Sequence, residues 1–582
     1  MWNFFKIVLA CLLALVVFSL LAVFFLVSMA GGLAAKDKPR IASNSVIVLD
    51  LAQHFREQVT QNPLAIFSSN QSDVPGLYDV VRLLKLAKAD KNIAGVYIIA
   101  NTNPNGFAAN DEIRNALRDF KSGGKFVLAH GDIMTQSAYS VANIADKIYV
   151  SPQGYLEWDG YSVELAFVKG TLDKLDIEPQ IFYAGKFKSA TEPFRAAEMT
   201  PENELQTSVW LNDLYNDFLV KTAEARKKDT ASLHQLANEA SIQNANDAVT
   251  HGLVDGVKYD DELKDEIKAN LGIGKYDRIN FTTINTYYAA SNIRKRSGDK
   301  IALIYAEGNI VDGKAEEGIG GETYRNLLRK ARLDKSIKAI VLRVNSGGGS
   351  AMASEAIWRE LALAKQEKPV IVSFGDVAAS GGYYIACAAD SIFALPTTIT
   401  GSIGVFGIIP NMQSFFKNKL GITFDGVKTA PHADAGAIYR PLNEPEKKMV
   451  QASVDMIYTT FKQRVAEGRK RDTTYIDSIA QGRVWTGLKA KDIGLIDRFG
   501  GIEDAIIAAA AKAGLTDYSV REYPEPENIF EKIFGKDDPM SYTDKIKNEI
   551  GEDNYKIYQE IKRVREMSNS VQTRLPFEFF IR

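Results

Sequence analysis

The sequence predicts two tandem α/β domains, each built on a largely parallel sheet, behind a single membrane-spanning helix. Three observations carry that expectation. One pattern occurs twice at an offset of 244 residues, short β-branched runs alternate with helical patterns inside each copy, and 23 uncharged residues run from Ile7 to Met29. With 582 residues the chain is too long for one core and long enough for two.

Ile7 to Met29 is apolar apart from Ser19 and Ser28. At ~1.5 Å rise per residue a helix of that length crosses a ~30 Å hydrocarbon layer, whereas a cleaved signal peptide carries an apolar run of only ~7–15 residues. Residues 1–40 are therefore expected to be a membrane anchor. Lys6 lies on one side of it and Lys36, Lys38 and Arg40 on the other, so charge does not orient it.

The first repeat domain is expected over residues 41–275 and the second over 300–515. Ser45 to Leu49 opens the first as a strand, followed by a helical pattern from Val80 to Lys88 and a strand from Val96 to Ile99. Ile301 to Tyr305, Tyr324 to Arg332 and Ile340 to Leu342 repeat that order. Such alternation argues for βαβ units. Long helical stretches at 201–228 and 444–471 end in paired sequences beginning Ala223-Glu224-Ala225-Arg226 and Ala466-Glu467-Gly468-Arg469. Gly252-Leu253-Val254-Asp255 and Gly494-Leu495-Ile496-Asp497 close the two copies. Residues 276–299 are polar and read as a linker. Residues 516–582 form a C-terminal extension, ending in Leu575-Pro576-Phe577-Glu578-Phe579-Phe580, to which the sequence attaches no function.

Composition narrows the function classes. The formal charge is −2 with both signs interspersed, which argues against a nucleic-acid partner. Five histidines show no metal-ligand spacing, so neither a metal nor a cofactor is expected.

The two copies agree without gaps from Asp90 to Asp146 and from Asp334 to Asp390, and their differences point to chemistry. Both keep a Gly-Asp pair (Gly131-Asp132, Gly375-Asp376), a tyrosine (Tyr139, Tyr383) and an aspartate (Asp146, Asp390). Ser380, however, faces Gln136; Gly347-Gly348-Gly349 faces Asn103-Pro104-Asn105; and Lys188 faces Ala433 across a one-residue gap. Neither copy holds a full set.

The turn Asn345-Ser346-Gly347-Gly348-Gly349-Ser350 follows an apolar strand and precedes a helical pattern. Consecutive glycines let N–H groups converge on an anion, either a phosphate or a developing oxyanion, although the Gly-Lys-Ser/Thr of a P-loop is missing. Ser380, between Ala378-Ala379 and Gly381-Gly382, is either a helix N-cap or a nucleophile on a sharp strand-to-helix turn, with the Gly381 N–H as an oxyanion donor. A serine nucleophile needs a base. His432, His130 and Lys188 are the candidates, the lysine only if burial lowers its pKa from ~10.4.

Taken together, Gly375-Asp376-Val377-Ala378-Ala379-Ser380-Gly381-Gly382-Tyr383-Tyr384, Thr400-Gly401-Ser402-Ile403-Gly404, Arg343-Val344-Asn345-Ser346 with Gly348-Gly349-Ser350, and Lys188-Ser189-Ala190 with Glu192-Pro193-Phe194 resemble the signal peptide peptidase A (protease IV) family in its long tandem-repeat bacterial form. The resemblance runs from about residue 40 to 515. It implies a Clp-protease/crotonase-like fold in each half, a bacterial inner-membrane anchor with the catalytic body in the periplasm, a homotetramer, and signal peptides and other apolar peptides as substrates. It also implies Ser380 as nucleophile, Lys188 as base, Gly381, Gly348 and Gly349 at the oxyanion hole, and Ser402 or Ser189 as a residue orienting the lysine. One departure is Gly347, where relatives carry proline. Apolar lining is expected from Val377, Ala378, Val405 and Phe406. Two other readings compete: a crotonase-like acyl-CoA hydratase or isomerase, and a catalytically inactive membrane scaffold.

Overall fold

The computed structural model describes residues 38–59, 73–293, 298–315, 317–525 and 572–575, together with residues 6, 13–15 and 17–19. Most of the expected anchor, Ile7 to Met29, lies outside them. Among the described residues no helix is long and apolar enough to cross a membrane.

Each half carries a sheet whose strand order reproduces the repeat. In the first half the order is Gly256–Val257, Lys147–Leu156, Phe126–Met134, Ile93–Ile99, Ser45–Asp50 and Phe281–Thr283, every neighbour parallel. In the second half Val370–Ala379, Ile337–Ser346, Asp299–Glu307 and Tyr518–Tyr523 lie side by side and parallel, with Ser391–Ala394 and Arg498–Phe499 continuing beyond Val370–Ala379. Helices on both faces explain why the central strands are unbroken apolar runs, as in Ile340-Val341-Leu342, all fully buried.

Residues kept in both copies hold this frame. Tyr139 and Tyr383 donate their hydroxyls to Leu253 O (2.6 Å) and Leu495 O (2.8 Å), tying a short helix to each copy's closing loop. Asp146 and Asp390 accept from the N–H groups of Val127 (2.7 Å) and Val370 (2.9 Å) at the strand starts. Arg226 and Arg469, at the ends of the long helices Pro201–Arg226 and Glu444–Arg469, pair with Asp255 and Asp497.

Two boundaries differ from expectation. The stretch 276–299 is not only a linker, because Phe281–Thr283 joins the first sheet beside Ser45–Asp50 and the helix Ile284–Ala290 buries Ile284 and Tyr287. The second half likewise continues past residue 515, since Tyr518–Tyr523 pairs with Asp299–Glu307. Both strands are the outermost element beside the opening strand of their copy. They lie far along the chain from that strand, so local polarity hides a partner that only long-range pairing supplies.

Two of the junctions between the halves are a shared sheet and a buried arginine. A third sheet runs Ile319–Gly320, Ile310–Val311, Gly348–Ser350, Gln572–Arg574, Val405–Asn411 and Glu178–Ala184, and so takes strands from both. The second junction is Arg343, fully buried on the strand Ile337–Ser346. Its guanidinium donates to Glu57 (2.9 Å) and Glu112 (2.6 Å) of the first half and to Ser373 Oγ and Phe374 O (2.8 Å each) of the second. A planar five-donor fork meets that set; an ammonium could not. Removing one member of a buried charged set leaves the others uncompensated, so Arg343→Met should lower unfolding free energy by roughly 3–5 kcal/mol, read from urea denaturation.

Candidate active site

Ser380 occupies the single residue between the strand Val370–Ala379 and the short helix Gly381–Ala386, with φ 53° and ψ −115°. Positive φ is costly for a residue with a Cβ and persists only where the surroundings impose it. Here the Ser380 N–H donates to Gly401 O (2.8 Å) while its carbonyl accepts from Tyr384 N (2.8 Å). The side chain makes no capping hydrogen bond, so the N-cap reading fails. Its hydroxyl instead lies 2.9 Å from Lys188 Nζ.

Lys188 arrives from the other half. Glu178–Ala184 pairs antiparallel with Val405–Asn411 over seven residues, Ala184 against Val405 and Glu178 against Asn411. That register sets Lys188, four residues beyond Ala184, beside Ser402, three residues before Val405. Gly185, at φ 104°, makes the turn between the ladder and the lysine. Gly482 lets the chain close over it, because a Cβ there would meet Lys188 Cα and Cβ at 2.7 Å. Lys188 Nζ lies 3.0 Å from Ser402 Oγ, 3.1 Å from Ser402 O and 2.5 Å from Arg574 O. Every partner is a neutral oxygen. Full burial without a carboxylate partner holds the amine well below the ordinary lysine range, because water no longer solvates the charged form.

Comparison with known proteins follows the same outline. The profile of Peptidase family S49 matches residues 119–274 and 362–516, one match in each half. Protease 4 of Salmonella typhi is 36% identical over 480 residues, covering 80% of this chain and 76% of its own. Protease 4 of Haemophilus influenzae is 36% identical over 490 residues, at 81% and 79% coverage. The chain belongs to peptidase family S49. Serine protease SPPA, chloroplastic, of Arabidopsis thaliana adds 32% identity over 490 residues, at 82% and 70%. The protein is thus a serine peptidase, and the hydratase and scaffold readings fall away.

Among the described residues the Ser380–Lys188 pair has no counterpart, although the fold is built twice. At the position of Ser380 the first half has Gln136, whose side chain is spent on Gly160, donating to its carbonyl (2.7 Å) and accepting from its N–H (3.2 Å). Ala433, the counterpart of Lys188, sits in an exposed turn. Of the two serines expected to orient the lysine, Ser402 touches its amine. Ser189 does not, because it opens a tight turn that aims its hydroxyl at Gln206 Nε2 (2.9 Å). Neither histidine candidate joins the pair: His130 Nε2 lies 3.0 Å from Lys258 O and His432 Nδ1 lies 3.3 Å from Glu446.

Two of the glycines expected at the oxyanion hole lie side by side. Gly348, at φ 97°, lies against Gly381, since a Cβ on Gly348 would stand 2.6 Å from Gly381 N. The N–H of Gly348 is already given to Ser346 Oγ (3.1 Å), and Gly349 lies in the ladder between Ile310 and Thr573. Among the residues expected to line the cleft, Phe406 sets its ring 6.0 Å from Lys188 Nζ and Val377 packs against a cluster containing Trp210 and Leu575. Ala378 and Val405 turn into the main core instead. Sequence reasoning missed Gln572–Arg574, which runs through the cleft as a strand. No motif marks it, because its partners lie more than 150 residues away.

Burial of Lys188 sets a stability signature. Its folded-state pKa is depressed, so between that value and the ordinary one the unfolded chain binds more protons and stability rises with pH. Replacing it with methionine abolishes that term. The melting temperature of Lys188→Met relative to wild type should therefore be highest near pH 6 and decline toward pH 9, measured by calorimetry at each pH.

Proposed function

We propose that this S49 peptidase is a membrane-anchored endopeptidase that hydrolyses cleaved signal peptides through a Ser380–Lys188 dyad. The observation that carries the reading is the 2.9 Å approach of Lys188 Nζ to Ser380 Oγ in a site where every other partner of the amine is a neutral oxygen. A neutral amine has two N–H donors and one lone pair. Carbonyl oxygens can only accept, so Ser402 O and Arg574 O hold the two N–H groups, and the lone pair is left for a hydroxyl proton, in this reading that of Ser380.

The steps follow from these positions. Ser380 Oγ attacks the scissile carbonyl as its proton passes to Lys188 Nζ. The oxyanion forms against the N–H of Gly381 and the Gly348–Gly349 turn. Lys188, now an ammonium with no carboxylate beside it, returns the proton to the leaving amine. Water then hydrolyses the acyl-enzyme with the same lysine as base. The strained backbone at Ser380 keeps the hydroxyl aimed at the amine through the cycle.

The remainder of the reading rests on the sequence. The apolar run from Ile7 to Met29 supports an anchor in a bacterial inner membrane, with the body in the periplasm. Each half is read as Clp-protease/crotonase-like, and the assembly as a homotetramer that shields its sites from folded proteins. Domains at 41–275 and 300–515 each supply one member of the dyad. Extended peptides with small or apolar side chains suit a cleft bounded by strand edges and lined by Phe406 and Val377.

Ser380→Ala and Lys188→Ala should each lower kcat/KM on an apolar signal peptide by about 10⁴-fold or more, and the double variant should lose no more than either alone, since the two act as one unit. Near-normal turnover in Lys188→Ala would overturn the dyad. Activity should rise through an acid limb belonging to Lys188, because the neutral amine is the working form; a rate flat from about pH 5 to 9 would remove the lysine as base. A folded globular protein offered beside the peptide should remain intact.

A further inference from the structure

The C-terminal residues Gln572, Thr573, Arg574 and Leu575 fill the cleft that a substrate would need. Gln572–Arg574 pairs antiparallel with Gly348–Ser350, placing Gly348 against Arg574, Gly349 against Thr573 and Ser350 against Gln572. On its other edge Gln572 pairs with Phe406. Remove this strand and the third sheet divides between Gly348–Ser350 and Val405–Asn411, leaving two open edges beside Ser380.

Its backbone meets the groups that a scissile peptide would meet. Arg574 O accepts from Lys188 Nζ at 2.5 Å. Thr573 O lies in the crease between the two glycines: a Cβ on Gly348 would stand 2.1 Å from it and one on Gly381 2.8 Å. The strand is anchored on both sides of that point. Leu575 N donates to Gly347 O (2.5 Å), Thr573 Oγ1 donates to Gly349 O (3.1 Å), and Arg574 reaches Asn309 (2.7 Å). Leu575 packs with Trp210, Leu214 and Val484. All four residues are buried, Thr573 completely.

We propose that residues 572–575 are a tethered occupant of the peptide cleft, bound as a substrate strand, and that they compete with incoming peptides. The proposal rests on reading Ser380 and Lys188 as the dyad. It adds that the enzyme's own C-terminus is the first ligand of its site. Strand addition explains the fit, since main-chain pairing gives affinity to any extended segment and side-chain pockets choose among them. Because the occupant is covalently attached, its effective concentration is fixed and does not fall on dilution. The apparent affinity for substrate is reduced by the fraction of time the cleft is free.

The test compares three forms of the full chain in detergent: wild type, a form ending at residue 571, and Thr573→Pro, which keeps the tail but removes the N–H and hydroxyl of its central residue. If the tail holds the cleft nine-tenths of the time, both variants should lower KM for an apolar fluorogenic peptide about 10-fold with kcat little changed. A synthetic peptide of residues 570–577 should inhibit the shortened form competitively. A fluorescent version should bind Ser380→Ala in the shortened form and bind full-length Ser380→Ala about 10-fold more weakly. Unchanged or raised KM in both variants, or no binding of the labelled peptide to the shortened Ser380→Ala chain, would overturn the proposal. If no form hydrolyses peptide yet the labelled peptide binds as expected, the tail proposal stands and the dyad reading fails.

Discussion

The antiparallel ladder between Glu178–Ala184 and Val405–Asn411 is the interaction on which the site depends. Lys188 and Ser380 are separated by 192 residues and belong to different halves. Seven paired residues bring the first half's chain alongside the second, ending four residues before Lys188 and three residues after Ser402, whose neighbour Gly401 accepts the Ser380 N–H. A slip of one residue would turn each side chain of the ladder to the opposite face and carry the amine away from Ser402. The buried Arg343 set holds the same two bodies together elsewhere, so the ladder need not carry the whole interface.

Within that frame the repeat separates two kinds of residue. Tyr139 and Tyr383, Asp146 and Asp390, and Arg226 and Arg469 make equivalent hydrogen bonds or ion pairs in both halves. They serve the fold, which is needed twice. Ser380 and Lys188, the proposed nucleophile and base, each occur in one copy only, as a single reaction centre would require. Gln136 shows what happens to the vacant counterpart: its amide closes both hydrogen-bonding positions of Gly160 and becomes part of the structure.

The site is also where the chain departs from its own rules. Ser380 and Ser402 both have positive φ without being glycine, and Lys188 is buried without an opposite charge. Each feature costs stability. The surrounding strands compensate, since Val372, Phe374, Ala378 and Ile403 are buried in the large core of the second half. Lys188 gains a lowered pKa from the same exclusion of water that makes it expensive, so the cost and the proposed role as base have one physical origin. The C-terminal strand completes that exclusion.

Much of this was legible in the sequence. An ungapped offset of 244 residues implies two copies of one fold, and the differences between copies at Ser380 and Lys188 mark the residues proposed for the chemistry, because residues that only support a fold have no reason to differ. The parallel sheets follow from alternating apolar runs, a local signal. Other features needed the tertiary structure. Which serine faces the amine depends on a three-residue turn at Ser189 and on the ladder register, both below the resolution of a pattern. That the polar stretch around Phe281 and the segment after Leu515 each supply an edge strand depends on partners far away in the chain. That Gln572 to Leu575 enters the cleft could not be read at all, since a strand's fit to an open sheet edge lies in main-chain hydrogen bonds, which every sequence possesses and none displays.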